Sequence, residues 1–336
     1  MSVKRPTIVD VAERAGVSKS LVSLVMRGSP GVAARSRDAV LDAARELGYR
    51  PNAMARSLVR QSSGVFGCIV SDLHNPFFAD VADGLEEAAV ARGYRALLSA
   101  GFLDPGREAA AVETLLGLQA DGLILLGPTL GLGTIEATAR DIPVVIVGQR
   151  TRSAIMDSVC NDDRAGAQAV VDHLVALGHE RIAHIHAGSR GGSADRRRGY
   201  EAAMSRHGLG DLTRTVRGAF TEEGGLAAMR TIIEGGDLPT AVFVANDFAA
   251  MGALEVLYAA GLRVPEDISV VGYDDIVTSH SVRVALTTVA QPALEMGRTA
   301  VNLLVERADQ GRAQARHIVL PPRLVVRGTT APPGVG

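Results

Sequence analysis

Residues 7–18 read Thr-Ile-Val-Asp-Val-Ala-Glu-Arg-Ala-Gly-Val-Ser, and the reading of this stretch decides that of the whole chain. Ile8, Val11, Ala12 and Ala15 recur at the spacing of one helical face, and Gly16 then breaks the run. Thr7 followed by Asp10 resembles a capping box with Asp in place of Glu, and Ser18 suits the N-cap of a second helix carrying Val22 and Val25. Two helices joined at a glycine-centred turn form a helix-turn-helix, whose second helix fits a major groove with its first residues at the base edges. A third helix is predicted from about Ala34 to Leu47, with Val40, Ala44 and Leu47 facing the first two and Gly48 ending it. Ala33 stands at its N-cap, where the missing hydroxyl costs roughly 1 kcal/mol.

Charge separates this segment from an ordinary three-helix domain. Through residue 60 the chain carries eleven Lys or Arg against five acids, a surplus of six, so the stated net charge of −2 leaves −8 on the remainder. A basic head on an acidic body is the electrostatic footprint of nucleic-acid binding.

Several dispersed motifs carry a resemblance. The stretch 7–18, Val22-Ser23, and Leu47-Gly48-Tyr49-Arg50-Pro51-Asn52 with Ala55 and Leu58 resemble the head of lactose-repressor (LacI/GalR) family regulators. The resemblance covers essentially residues 5–330 and implies a sequence-specific DNA-binding regulator, most simply a repressor of a catabolic operon. It implies a short hinge helix after Asn52, which pairs in a homodimer and pushes Leu58 into the minor groove of double-stranded operator DNA. Arg56 and Arg60 flank that leucine, and an apolar wedge of this kind exchanges unstacking energy for a bent duplex with more protein contact. The competing reading packs Leu58 on the body. The residues expected at DNA are Thr7, Ser18, Lys19, Ser20, Ser23, Arg27, Asn52, Ala55, Arg56 and Leu58. The position after Ser23 commonly holds a base-reading Arg in the family but is Leu24 here, which cannot donate to guanine and implies a different operator preference.

Beyond the linker, short apolar runs at 66–70, 96–100, 122–126 and 143–147 alternate with helical patterns. The alternation restarts after Asp162-Asp163, with strand-like runs at 181–187, 241–245 and 268–272. Buried strands alternating with helices imply parallel sheets covered on both faces, here in two tandem units. The expected fold class is therefore α/β: a three-helix helix-turn-helix head and hinge helix, then a two-lobed, doubly wound body like that of periplasmic binding proteins. The expected divisions are 1–49 for the head, 50–63 for hinge and linker, and 64–161 plus 292–322 for the first lobe. Residues 162–291 plus 323–330 form the second lobe, and 331–336 a tail. Three crossovers then link the lobes, which suits hinge closure around a ligand.

Cleft candidates sit at the carboxyl ends of predicted strands. In the first lobe these are Asp72, Asn75, Phe77 and Phe78. Asn75 reads equally as a pure cap of the helix that Pro76 starts, while by the resemblance Phe77 and Phe78 match positions that contact effector, with core as the alternative reading. In the second lobe they are Arg190, Asn246 and Asp274, and the resemblance adds Phe220, at the position of an aromatic that stacks on the effector, and Arg196, which falls at the family's effector-clamping arginine. A forked guanidinium suits vicinal hydroxyls or a carboxylate. Asp247 and Asp275 are expected to cap or hold loops, and Arg197 and Arg198 to be solvated. Where many sugar-responsive members carry Asp, this chain has Gly148, with Gln149 as a replacement contact. The effector class is a sugar, polyol or sugar derivative, with a nucleobase or nucleoside as the next reading.

Other classes fare worse. Asp162-Asp163, Asp274-Asp275 and His184 with His186 lack a third ligand or a nucleophile-base-orienter set, so no enzyme, metal or cofactor is expected. A solute-binding module without DNA function is disfavoured by the basic head. Cys68 and Cys160, the only cysteines, read as reduced thiols. With no secretory segment and no membrane-length apolar run, a cytoplasmic protein is expected. Pro332-Pro333-Gly334 at the end, without heptads, points to a dimer and not a coiled-coil tetramer.

Overall fold

A computed structural model describes residues 6–26, 29–49 and 62–334. They fall into two compact units, divided after Ser63.

The first unit holds α1 (Ile8–Ala15), α2 (Lys19–Met26) and α3 (Ala34–Leu47). The expected capping box is present: the Thr7 hydroxyl accepts the Asp10 N–H, and the Asp10 carboxylate accepts the Thr7 N–H at 2.6 Å. Gly16 takes a left-handed conformation (φ 66°) that a side chain disfavours, and the tight α1–α2 turn depends on it. The Ser18 hydroxyl accepts the Leu21 N–H at 3.2 Å and so caps α2. Ala33 gives α3 no side-chain cap. Val11, Val22, Val25, Val40 and Ala44 close a small core between the three helices. The DNA candidates Arg27, Asn52, Ala55, Arg56 and Leu58 lie outside the described residues.

The second unit contains two parallel sheets. The larger is built from β1 (Val65–Val70), β2 (Arg95–Ala100), β3 (Gly122–Leu126), β4 (Val144–Val147), β5 (Asp157–Asn161) and β11 (His317–Leu320), in the order β11-β5-β4-β3-β1-β2. The smaller runs β7-β6-β8-β9, from β6 (Ile182–His186), β7 (Arg214–Arg217), β8 (Ala241–Val244) and β9 (Ser269–Val271). Strands such as β3 and β4 are buried along their whole length because helices cover both faces. On one face of the larger sheet lie α4 (Pro76–Ala91) and α11 (Ala293–Ala308), and on the other α5 (Pro105–Gly117) and α6 (Leu132–Thr138). The smaller sheet is covered by α7 (Asp163–Ala176) and α8 (Ser193–Arg206) on one side, and by α9 (Glu222–Glu234) and α10 (Asp247–Ala259) on the other.

The chain passes between the sheets three times. It leaves the larger after β5, returns through α11 after β10 (Thr288–Ala290), and leaves again from β11 into β12 (Arg323–Val325). β10 and β12 form an antiparallel ribbon beside the smaller sheet, joined to it through Val271–Thr287 and Asp274–Ala290 bridges. Strand β7, helix α6 and the short 3₁₀ turns were not evident as apolar runs. In β7, Arg-Thr-Val-Arg is an edge strand with little apolar content, which hides it from a hydrophobicity reading.

Long-range polar ties hold the return path of the chain. Asp157, fully buried at the start of β5, accepts from Arg307 at 2.8 Å, from Arg312 at 2.7 Å and from the Arg316 N–H at 2.7 Å. Burial alone would raise its pKa, but the hydrogen bonds from Arg312, Arg316 and Arg307 outweigh it and hold the carboxyl below the ordinary value. Cys68 and Cys160 are free, and burial pushes their thiols up to about 12 and about 11. Among the described residues, no helix is long and apolar enough to cross a membrane.

Candidate ligand cleft and DNA-reading helix

The carboxyl ends of the strands in the two sheets face a common cavity. From the first lobe, Asp72, Asn75, Phe77 and Phe78 reach it, and from the second, Arg190, Arg196, Phe220, Asn246 and Asp274. Of the sequence candidates only Gln149 is absent from the lining. It is half-buried beside Gly148, which does line the cavity and takes φ 82°. The turn therefore presents the Gly148 backbone to the cavity, and Gln149 stands beside the lining and not in it.

At the centre lies Arg196. It is 5% exposed and sits on the first turn and a half of α8, after a glycine-rich turn that leaves room for it. Its Nε donates to Asp163 Oδ1 at 2.8 Å and its Nη1 to the Ala245 carbonyl at 2.6 Å, while Asp274 Oδ1 lies 3.8 Å from Nη1. The guanidinium carbon stands 3.7 Å from the Tyr273 ring centroid and 5.6 Å from that of Phe220. Gly192 lets Asp163 close on this cluster, since a Cβ there would meet the carboxylate at 2.2 Å. Burial works against the charged guanidinium, but Asp163, Tyr273 and Asp274 more than offset it and keep Arg196 protonated.

Asp274 is held in an unusual backbone conformation for a non-glycine residue (φ 125°), a strain of the kind that clusters at binding sites. Gln291 Nε2 donates to it at 2.6 Å. Burial raises its pKa, Arg196 opposes, Asp247 adds to the rise, and the carboxyl is pushed up to about 7. Asn246 caps α10 through the Ala249 N–H and donates to the Phe220 carbonyl at 3.1 Å. Asn75 likewise caps α4 through the Phe77 N–H at 3.1 Å while lining the cavity, so capping and lining coincide. Phe77 and Phe78 belong both to the wall and to the core beneath it. Asp72 accepts the His74 N–H at 2.9 Å.

Neighbouring acids behave as supports. Asp247 accepts the Ile276 N–H at 3.0 Å and hydroxyls of Ser279 and Thr288, and Asp275 pairs with Arg327 and His280. Arg197 and Arg198 sit on the outer side of α8, paired with Glu201 and Asp195. Sequence reasoning passed over Ser71, Leu103, Thr129 and Gln291 in the lining, and Asp163 and Tyr273 behind Arg196. Gln291 was legible only as a polar residue before α11, and Thr129 only as one of a loop. Of the His184–His186 pair, burial drives His184 down to about 3, with its Nδ1 against the Phe243 carbonyl, and lowers His186 as well. Among the described residues no cluster of His, Cys, Asp or Glu is placed to hold a metal ion.

In the head, Lys19 and Ser20 are exposed on α2, with Ser23 half-buried and Leu24 38% exposed. Thr7 and Ser18 serve as caps.

A helix-turn-helix unit joined in one chain to a two-lobed, cleft-bearing body defines a DNA-binding regulator of the ligand-responsive kind. Comparison with known proteins makes this specific. Residues 7–52 match the model for bacterial regulatory proteins of the lacI family, and residues 171–330 that for a periplasmic binding protein-like domain. The chain is 32% identical to catabolite control protein A of Priestia megaterium, over 96% of this chain and 99% of that protein. It is 35% identical to the HTH-type transcriptional repressor PurR of Haemophilus influenzae (strain PittEE), over 96% and 97%. The solved lac repressor dimer, bound to operator and the anti-inducer ONPF, superimposes with a TM-score of 0.86 at 31% identity, covering 98% of this chain and all of the other. The chain belongs to the LacI family of DNA-binding transcriptional regulators, whose members here are repressors and regulators, not enzymes.

The raised pKa of Asp274 has a measurable consequence. Between the unfolded value near 4 and the folded value of about 7, the native state holds a proton that the unfolded state has lost, so Asp274 makes stability fall as pH rises through that window. Urea unfolding of the parent and of Asp274→Asn, from pH 4 to 8, should show the variant gaining relative stability up to about pH 7 and then levelling off. A pH-independent difference would show that Asp274 ionises normally.

Proposed function

We propose that the cavity binds a neutral, hydroxyl-rich effector, a sugar or polyol, and that this ligand controls operator binding by the head. The observation that carries the reading is the charge balance around Arg196. Its guanidinium is paired with Asp163 at 2.8 Å, with the Asp274 carboxyl 3.8 Å away and Asp72 also in the lining, so the arginine has its counter-charge without an anionic ligand. The lining offers guanidinium donors, carboxylate acceptors and the side-chain amides of Asn75, Asn246 and Gln291 beside aromatic faces, a set suited to ring hydroxyls with an apolar ring face against Phe220. Three phenylalanines in one cavity favour a second reading, a flat nucleobase or nucleoside. The roles of Asp72, Asn75, Phe77, Phe78, Arg190, Arg196, Phe220, Asn246 and Asp274 in holding the effector, and of Thr7, Ser18, Lys19, Ser20, Ser23, Arg27, Asn52, Ala55, Arg56 and Leu58 at DNA, belong to this proposal, as do the lobe boundaries given above. An effector shifts the protein between operator-competent and operator-free states only by its difference in affinity for the two.

A thermal-shift screen of the full chain against pentoses, hexoses, disaccharides, polyols and nucleosides tests the reading. A ligand at about a hundredfold excess over Kd stabilises the native state by about 2.7 kcal/mol. Arg196→Lys retains a charge opposite Asp163 but loses the fork, and should remove the shift while the protein still folds. A shift with nucleosides alone would replace the sugar reading by the second one, and an undiminished shift in the variant would move the clamp elsewhere.

On the DNA side, Leu24 takes the place of a hydrogen-bonding reader. An exposed leucine on α2 suits the C5-methyl group of thymine, and contact with one methyl is worth about 0.8 kcal/mol, about fourfold in affinity. In an operator selected from random DNA, replacing one thymine by deoxyuridine should weaken the parent about fourfold and Leu24→Ala hardly at all. Equal losses in both proteins would remove Leu24 from thymine reading.

The working unit is a homodimer. Edge strand β2 carries Leu97 and Leu98 at 43% and 49% exposure, and Val277 and Val282 are 71% and 96% exposed, an apolar set suited to a second copy. The lac repressor neighbour is a dimer on its operator. Sedimentation equilibrium at micromolar concentration should give twice the chain mass, and a stable monomer would overturn the assignment.

A further inference from the structure

Glu108 is fully buried on the first turn of α5, and its carboxylate is spent on backbone. Oε1 accepts the Thr129 N–H at 3.0 Å, while Oε2 accepts that N–H at 2.8 Å and the Leu130 N–H at 2.9 Å. A carboxylate taken out of water is costly unless donors are aimed at it, and hydrogen bonds to a charged acceptor are shorter and stronger than neutral ones. The loop between β3 and α6 is therefore gripped firmly. On its other side Glu108 packs against Gly101, where a Cβ would meet its Cγ at 2.5 Å. Gly101 opens the turn in which Phe102 and Leu103 take left-handed backbone, φ 54° and 56°. One buried side chain thus braces two segments that reach the cavity through Leu103 and Thr129.

Thr129 is the second observation. It lines the cavity, and its Oγ1 is buried without a hydrogen-bond partner, the one such side-chain atom among the described lining residues. Asn75 and Asp72, on the same lobe, already accept the N–H groups of Phe77 and His74. A buried hydroxyl left unpaired destabilises the empty protein, and a valine of the same shape would avoid the penalty. We propose that the Thr129 hydroxyl reads one hydroxyl group of the effector and that Glu108 is its positioning residue, an assignment that rests on the sugar reading of the cavity.

The backbone around Thr129 is held at both ends. The Gly127 N–H donates to the Val147 carbonyl at 2.9 Å, and Leu130 is sunk in the core beneath α5 and α6. Gly127 takes φ 59°, and a Cβ there would meet the Phe78 ring at 2.6 Å, so this loop is seated directly on the cavity wall. The hydroxyl turns about χ1, but its carbon stays where Glu108 fixes it. A hydroxyl donates one hydrogen bond and accepts others, which matches a sugar hydroxyl in either role. A site with a fixed polar group discriminates sharply against an analogue that lacks the matching group, because its own group is then left unpaired. Glu108 and Thr129 thereby select for a hydroxyl at one position of the ring.

The test is isothermal titration of the full chain with D-glucose, D-galactose, D-mannose, D-xylose and D-ribose, then with each monodeoxy analogue of the tightest binder. Thr129→Val should weaken that sugar about tenfold, and Thr129→Ser should stay within about threefold of the parent. In the parent every removed hydroxyl that is held should cost affinity. In Thr129→Val the cost should vanish at one ring position and persist at the others. Without sugar, Thr129→Val should unfold no earlier than the parent, because the hydroxyl it removes has no partner to lose. Glu108→Gln should weaken binding in the parent and add no further loss to Thr129→Val. Affinity in Thr129→Val within about twofold of the parent, or a loss that no deoxy position relieves, overturns the Thr129 contact while the sugar reading stands. An equal loss from Glu108→Gln in both backgrounds overturns its positioning role. No heat with any sugar overturns the sugar reading and this contact together.

Discussion

A guanidinium buried between two lobes is the constraint on which the cleft depends. Taking Arg196 out of water costs several kcal/mol, and the fold meets that cost with groups drawn from distant parts of the chain. Asp163 comes from the first turn after the crossover from β5, Ala245 from the end of β8, and Tyr273 and Asp274 from the end of β9. One buried ion thus brings together α7, the end of β8 and the end of β9 around α8. Tyr273 is secured in turn by Asn161, whose amide donates to its hydroxyl at 2.5 Å. The crossover is thereby tied to the ligand site through side chains and not only through the backbone.

Asp247 repeats the arrangement with opposite charge. It is fully buried, its pKa raised by that burial, and it gathers an N–H and two hydroxyls from the segments 276–279 and 288. Its neighbour Asn246 turns a capping side chain toward Phe220. The second lobe thus carries a prepared polar floor whose members are largely satisfied before any ligand arrives. Such preorganisation lowers the entropy lost on binding. The first lobe contributes differently, with two phenylalanines that are at once wall and core, and a strained lip at Phe102 and Leu103.

Local signals were fully legible in the sequence. Capping residues, glycine stops and periods of 3.6 and 2 act over four residues or fewer, so Thr7, Ser18, Gly16, Asn75 and the alternation of strands and helices could be read one window at a time. The carboxyl ends of strands followed from the alternation and led to Asp72, Asn75, Arg190, Asn246 and Asp274, whereas Phe77, Phe78, Arg196 and Phe220 rested on the family resemblance; all nine line one cavity. Edge strand β7 was missed because a strand exposed on one side and rich in arginine has no apolar period to detect.

What tertiary structure alone decided are the pairings. Nothing near Arg196 in sequence marks Asp163 as its partner, nothing near Asp157 marks Arg307 and Arg312, and Gln291 meets Asp274 only through the β10 bridge. Gln149 shows the reverse case, a plausible side chain that the turn at Gly148 leaves outside the lining. The sequence by itself determined the helix-turn-helix head, the two α/β units and the family, because those rest on short-range periodicity and motif spacing. Which charges neutralise which, which loops are strained, and how far the cavity extends were set by the register of strands remote in sequence. Coulombic and desolvation energies depend on distance in space, and that distance is not encoded in any local pattern.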